Sequence, residues 1–218
     1  MGYRIGRATG PSGPVASILH MDRTDFGRIV AFTDGVMAVA ITLLVLNLEV
    51  PDVRADDLDD ALRELDGSFL AYVLTFALVG RFWVIHHNLF ESLERFDGTL
   101  MVLNLVFLMM IALMPFGMDL VDTYPDTSIA IATFAVILSL ASLTHSAMML
   151  HSRRSEFVDT RRVRDTRPAR SIVSLGIPAV FLASVPVAFV SPLAAQLMWT
   201  ATIVLRGPLR ALAARLSD

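Results

Sequence analysis

Apolar residues in this chain fall into long blocks rather than the short alternations of strands or the narrow stripes of soluble amphipathic helices. The first block, from about Ile29 to Leu48, holds one formal charge, Asp34; Thr24 or Asp25 can cap its start and Pro51 stops it. A second block, Ser68 to Phe90, is apolar in its first half (FLAYVLTFALVG) and mixed in its second (RFWVIHHNLF). A third runs from Leu100 to Met118 and contains Pro115, a fourth runs from Ser128 to Leu150, and Ser171–Leu205 holds two more, parted at Ser191-Pro192. A membrane crossing needs about 20 apolar residues. The pattern therefore predicts an all-α, polytopic membrane protein with six transmembrane helices, over about 28–49, 67–93, 98–118, 127–151, 170–190 and 192–212. These form one domain, 23–215, behind a tail, 1–22. The last pair is tight. Its 35 residues rise only about 52 Å as helix, and two crossings of a ~30 Å core need slightly more. Snorkelling by Arg170 and Arg206 closes that gap, and Pro178, Pro186 and Pro192 oppose one uninterrupted helix.

Composition agrees. Of 218 residues, 55% are apolar and 18% charged, with a mean hydropathy of +0.61; soluble domains are about 45–50% apolar and about 25% charged. The net charge of −3 excludes a global basic field for nucleic acid. All 18 cations are Arg. The absence of Cys excludes disulfides, thiolate metal sites and cysteine catalysis. Residues 1–21 are rich in Gly, Pro and Ser and lack the apolar run of a cleavable signal peptide; Gly6 stands where a myristoylation signal wants Ser or Thr. A flexible cytoplasmic tail is expected there. Link 1–2 carries eight acids (Glu49, Asp52, Asp56, Asp57, Asp59, Asp60, Glu64, Asp66), and link 3–4 carries Asp119, Asp122 and Asp126. Arginines gather in the N-tail, at Arg95, between Arg153 and Arg170, and in the C-tail. The positive-inside rule then places both termini and links 2–3 and 4–5 in the cytoplasm, which requires an even number of spans.

Ionisable groups at mid-bilayer cost at least about 2.5–3.5 kcal/mol, so each needs a partner, a cavity or a job. The candidates are Asp34, Arg81, His86, His87 and, nearer a helix end, His145. One reading makes them inter-helix glue, with Asp34 paired to Arg28 or Arg81. His87-x-x-x-Glu91 puts two potential ligands on one helix face, too few for a metal, and no second His pair at similar depth suits haem. Nucleophile elbows, zinc-protease motifs and phosphate loops are absent. No enzyme, metal or cofactor is expected. On helix one, Val39, Thr42, Leu43 and Leu46 form an i, i+3, i+4, i+7 stripe, with Gly35, Ala38 and Ala40 permitting close approach. On most membrane helices such a stripe is packing or lipid contact.

Arg28-x-x-x-Phe32-Thr33-Asp34, followed by Ala40-Ile41-Thr42-Leu43-Leu44-Val45-Leu46, resembles the first helix of the endolysosomal potassium channel family and its prokaryotic homologues, which carry R-x-x-x-F-S-D there. Phe82-Trp83-x-x-His86-His87-x-x-Phe90 resembles the second helix of that family, and Leu103-Asn104-Leu105-x-Phe107, ending at Pro115-Phe116, its third. The resemblance spans 28–116; Thr33 replaces the family's Ser, and Val39 is smaller than the Ile or Leu common there. It implies a six-helix subunit in the prokaryotic cell membrane, assembled as a homotetramer that conducts K+, with helix one lining the pore. By position the pore-facing residues would be Val39, Thr42, Leu43 and Leu46, with the hydrophobic constriction at Val39 and the threonine layer at Thr42. Arg28, Phe32, Thr33, Asp34, His86, His87 and Asn104 would fix helix one against its neighbours.

The chain has no T-V-G-Y-G carbonyl filter. Selection would then fall to four Thr42 hydroxyls, inside an apolar neck able to gate by dewetting, and the K+ selectivity expected is moderate. Two other readings stay open: a proton-coupled transporter or proton pathway through Asp34, His86 and His87, and a non-conducting scaffold or sensor whose Arg-rich 4–5 link binds anionic lipid or protein.

Overall fold

The computed structural model describes residues 23–155, 157–158 and 169–204. The expected tail 1–22, the arginines at 161, 162, 164 and 167, and the chain beyond 204 lie outside the described residues. Among the described residues every regular element is helical. The order is α1 (Arg23–Leu43), a 3₁₀ turn (Leu44–Asn47), a 3₁₀ turn (Ala55–Asp57), α2 (Leu58–Glu64), α3 (Asp66–Glu91), α4 (Gly98–Ala112), α5 (Met114–Thr123), α6 (Ser128–Arg154), α7 (Ala169–Ala188) and α8 (Pro192–Val204).

Among the described residues four stretches are long and apolar enough to cross a membrane: Phe26–Asn47, Asp66–Glu91, Gly98–Thr123 and Ser128–Arg154. α7 adds a shorter apolar run, Gly176–Ala188. The third stretch joins α4 and α5 across a break at Leu113. Pro115 has no N–H to offer the preceding turn and sits where a helix tolerates it, in the first turn of α5. The Leu113 N–H to Met109 C=O bond (3.2 Å) and the Gly117 N–H to Leu113 C=O bond (3.0 Å) carry the chain over the gap.

Burial does not follow hydropathy. α6 and α3 share a mean hydropathy of 1.8, yet 61% of the most apolar stretch of α6 is buried against 22% of that of α3, and Phe26–Asn47, at 2.3, is also only 22% buried. Lipid accepts apolar surface as readily as protein does, so packing inside the bilayer is decided by shape and polar pairing instead. α6 packs against α4, α5, α7 and α8 and is the pillar of the chain. Three of its buried serines satisfy their hydroxyls by donating back to the carbonyl four residues earlier: Ser139 to Ala135 (2.6 Å), Ser146 to Ser142 (2.9 Å) and Ser152 to Met148 (2.6 Å). Gly117 lets α5 lie directly on α6, where a Cβ would collide with the Phe134 ring. The same ring meets Trp199 of α8 edge-on at 5.3 Å, and the buried Trp199 indole donates to Ser184 Oγ of α7 at 2.8 Å. α1 and α3 pack on each other and on α5, α1 also on α4 and α3 also on α8.

At one end the α3–α4 link is clamped to the end of α6. Asp97 caps α4 by accepting from the Leu100 N–H (2.8 Å), and its second oxygen meets His151 Nε2 at 2.8 Å. The Glu94 N–H donates to the Phe157 carbonyl at 2.8 Å.

Candidate functional site

The two sides of α1 have opposite environments. Thr33, Met37, Ala40 and Leu44, spaced i, i+4, i+7, i+11, are buried against the rest of the chain. Phe32, Gly35, Val39, Thr42, Leu43 and Leu46 are exposed along the other side. Leu46 is 70% exposed and Val39 56%, high values for large apolar side chains. Part of this side forms an open groove of about 440 Å³, lined by Phe32, Gly35, Val36, Val39, Ala40, Leu43 and, from the end of α4, Ala112. Thr42 is the polar residue among the exposed aliphatics. Its hydroxyl donates to the Val39 carbonyl at 2.8 Å, so its oxygen lone pairs remain available outward.

The buried side of α1 is held by directional bonds. Asn104 Nδ2–H of α4 donates to Thr33 Oγ1 at 2.9 Å, and its Oδ1 accepts from His86 Nε2–H of α3 at 2.9 Å. All three residues are buried. The His86 ring lies between Phe90 (4.1 Å) and Phe107 (5.0 Å, 10° between planes), so its position is set by stacking as well as by the bond. Three helices thus meet at one amide, which uses donor and acceptor together.

A second tie lies one position along. Trp83 Nε1–H of α3 donates to Asp34 Oδ1 of α1 at 2.9 Å, and the indole stacks on His87 at 5.2 Å. His87 Nε2 lies 3.2 Å from Glu91, one turn further along α3. Asp34, His86 and His87 therefore belong to two separate clusters. Phe32 takes no part in these bonds and lines the groove. Arg28 lies on α1 about a turn and a half before Asp34. Arg81 reaches the opposite flank, where its guanidinium donates to the Thr202 carbonyl of α8.

Two residues escaped the sequence reading as anchors. Trp83 offers an indole N–H, a donor-only group, to the one acid of helix α1's apolar run, Asp34. Asn47, at the far end of helix one, donates from Nδ2 to the Pro115 carbonyl at 2.9 Å. Among the described residues no group of three or more His, Asp or Glu side chains is placed to hold a metal ion.

The model of the endosomal/lysosomal potassium channel TMEM175 family matches residues 28–115, the stretch that contains both ties. A potassium channel of Streptomyces collinus is 36% identical over 177 residues, covering 76% of this chain and 83% of that protein. The chain belongs to the TMEM175 family. TMEM175 proteins are ion channels rather than enzymes, and this member is a multi-pass membrane protein. The crystal structure of a lysosomal potassium-selective channel TMEM175 homologue from Chamaesiphon minutus superposes with a TM-score of 0.72 at 28% identity, covering 84% of this chain and 96% of that one. An animal relative, the endosomal/lysosomal proton channel TMEM175 of Danio rerio, is 26% identical over 141 residues, and the match spans 64% of this chain but 27% of that protein.

Proposed function

We propose that this TMEM175 protein is a K+-permeable channel of the prokaryotic cell membrane, built as a homotetramer whose four α1 helices surround the ion pathway. The observation that carries the reading is the exposed side of α1: a ribbon of apolar residues from Phe32 to Leu46, interrupted by Thr42, on a helix whose other side is pinned by hydrogen bonds. Around an axis, Val39, Leu43 and Leu46 form a narrow apolar neck that opens and closes by wetting. Thr42 supplies a ring of oxygen acceptors to a partly dehydrated cation, because its proton is already committed to Val39. A neck of this kind penalises dehydration without a rigid cage, so selectivity for K+ over Na+ is moderate. α7 and α8 complete a six-span subunit, with both termini in the cytoplasm by the distribution of arginines. The acidic residues 49–66 then ring the outer mouth and concentrate cations there.

The Asp34/His86/His87 proton relay is disfavoured by geometry. Asp34 is joined to α3 through an indole N–H, which donates but cannot pass a proton on, and His86 is closed onto Asn104 in an aromatic slot.

Purified protein in planar bilayers tests the reading. Unitary currents reversing near the K+ equilibrium potential are expected. Flux driven by pH without unitary steps indicates a carrier, and electrical silence indicates a scaffold; either contradicts the proposal.

A further inference from the structure

The exposed stripe of α1 ends in a change of helix type that the pore reading leaves unexplained. α1 is α-helical to Leu43, tightens into 3₁₀ over Leu44–Asn47, and gives way to extended backbone at Leu48 (φ −88°, ψ 93°). Hydrogen-bond geometry is poorer in 3₁₀ than in α-helix, and runs of this length are near its usual limit. Nothing in Leu-Val-Leu-Asn prefers it, so tertiary contacts must hold it. Leu44 is fully buried, and the turn packs against α5 and α3. Its last residue, Asn47, bonds the Pro115 carbonyl in the first turn of α5, 68 residues away. The acceptor is a carbonyl, so the amide must present its NH₂ end. A carbonyl oxygen has two lone pairs and takes a side-chain donor beside its helix bond.

The 3₁₀ turn changes where Leu46 stands. Three residues of α-helix turn about 300°, whereas three of 3₁₀ complete a circle, so side chains at i and i+3 eclipse. Leu46 therefore stacks over Leu43. In a continuous α-helix it would sit about 60° round the axis, on the line of Val39, and about 1.5 Å lower. Leu46 is the more exposed of the two leucines, at 70% against 42%.

We propose that Asn47 is a positioning residue of the ion pathway: its hydrogen bond to Pro115 holds the 3₁₀ turn that stacks Leu46 over Leu43, so the break in the third span sets the shape of the apolar neck. This rests on the reading of α1 as the pore helix. Asn47 itself touches no ion. It acts through Leu46, and a residue that merely stabilised the fold would not act through one pore side chain.

The test is a double-mutant cycle on unitary K+ conductance, using the full chain in planar bilayers with Asn47→Leu (similar size, no donor), Asn47→Ala, Leu46→Ala and the doubles. Each Asn47 variant is expected to change conductance about two- to tenfold, the lower half of the range of couplings between contacting residues. The K+/Na+ permeability ratio, assigned to Thr42, is expected to stay at the wild-type value. With Leu46→Ala present, the Asn47 change is expected to have no further effect. If Asn47→Leu is silent, adding Leu46→Ala should restore current, and persistent silence overturns the proposal. An unchanged conductance in both Asn47 variants, or the same fold-change with and without Leu46, also overturns it while the pore reading stands. If Leu46→Ala alone leaves conductance unaltered, the neck assignment fails and takes this proposal with it.

Discussion

The hydroxyl of Thr42 donates to the Val39 carbonyl of its own helix, and that bond decides what the side chain offers to an ion. With its proton engaged, the oxygen presents only lone pairs, which suit a cation and not an anion. On the pore reading, Thr42→Ala removes the acceptors without disturbing the stripe, so the K+/Na+ permeability ratio measured under bi-ionic conditions should shift; an unaltered ratio places selection elsewhere. Val39→Ala and Leu46→Ala should each raise unitary conductance by widening the neck. Asn104 works at the same scale on the hidden side of the helix. Asn104→Leu strands Thr33 and His86, both buried, and should lower stability by about 1–3 kcal/mol, visible as a lower unfolding midpoint in detergent. The residue types of this network were legible, because Thr, Asn and His stand out within apolar runs. The pairings were not. Whether Asp34 faces Arg28, Arg81 or Trp83 depends on how α1 and α3 are rotated about their axes, and a one-residue rotation of about 100° exchanges one partner for another.

Helices show the same division between what a sequence displays and what packing decides. The block structure of the apolar residues, with Pro51, Asp97 and Pro192 at its edges, displays the all-helical, membrane-spanning character directly. The break at Leu113 is displayed only in part. Pro115 announces an interruption, but the chain crosses it with two backbone bonds and continues as α5 to Thr123. Gly117 serves that element by bringing α5 onto the Phe134 ring. Gly117→Ala should therefore overpack the α5–α6 contact, with a loss of about 1–3 kcal/mol read from thermal unfolding, while a change such as Gly67→Ala, where a Cβ meets nothing within 4 Å, should leave the midpoint nearly unmoved. The 3₁₀ end of α1 carried no sequence signal at all, since Asn47 and Pro115 are brought together only by the tertiary fold.

For the whole molecule, one chain leaves a finished core around α6 and an unfinished surface along α1. The stripe on helix one was visible from spacing alone, yet spacing cannot tell lipid from a lumen. The pore reading rests on the pinned hidden side together with membership of a channel family. The acidic link extends the same picture beyond the bilayer. Neutralising Asp56, Asp57, Asp59 and Asp60, all exposed, should reduce K+ conductance at 0.01 M salt and have little effect at 1 M, since the Debye length falls from about 30 Å to about 3 Å over that range. The central claim is that α1 lines the route taken by K+. The chain contains no cysteine, so Thr42→Cys supplies a single thiol, and K+ current through that variant in planar bilayers can be followed while a water-soluble thiol reagent is added. Progressive block of Thr42→Cys, with wild-type current untouched, is the predicted result; a Thr42→Cys current that persists unchanged would contradict the account.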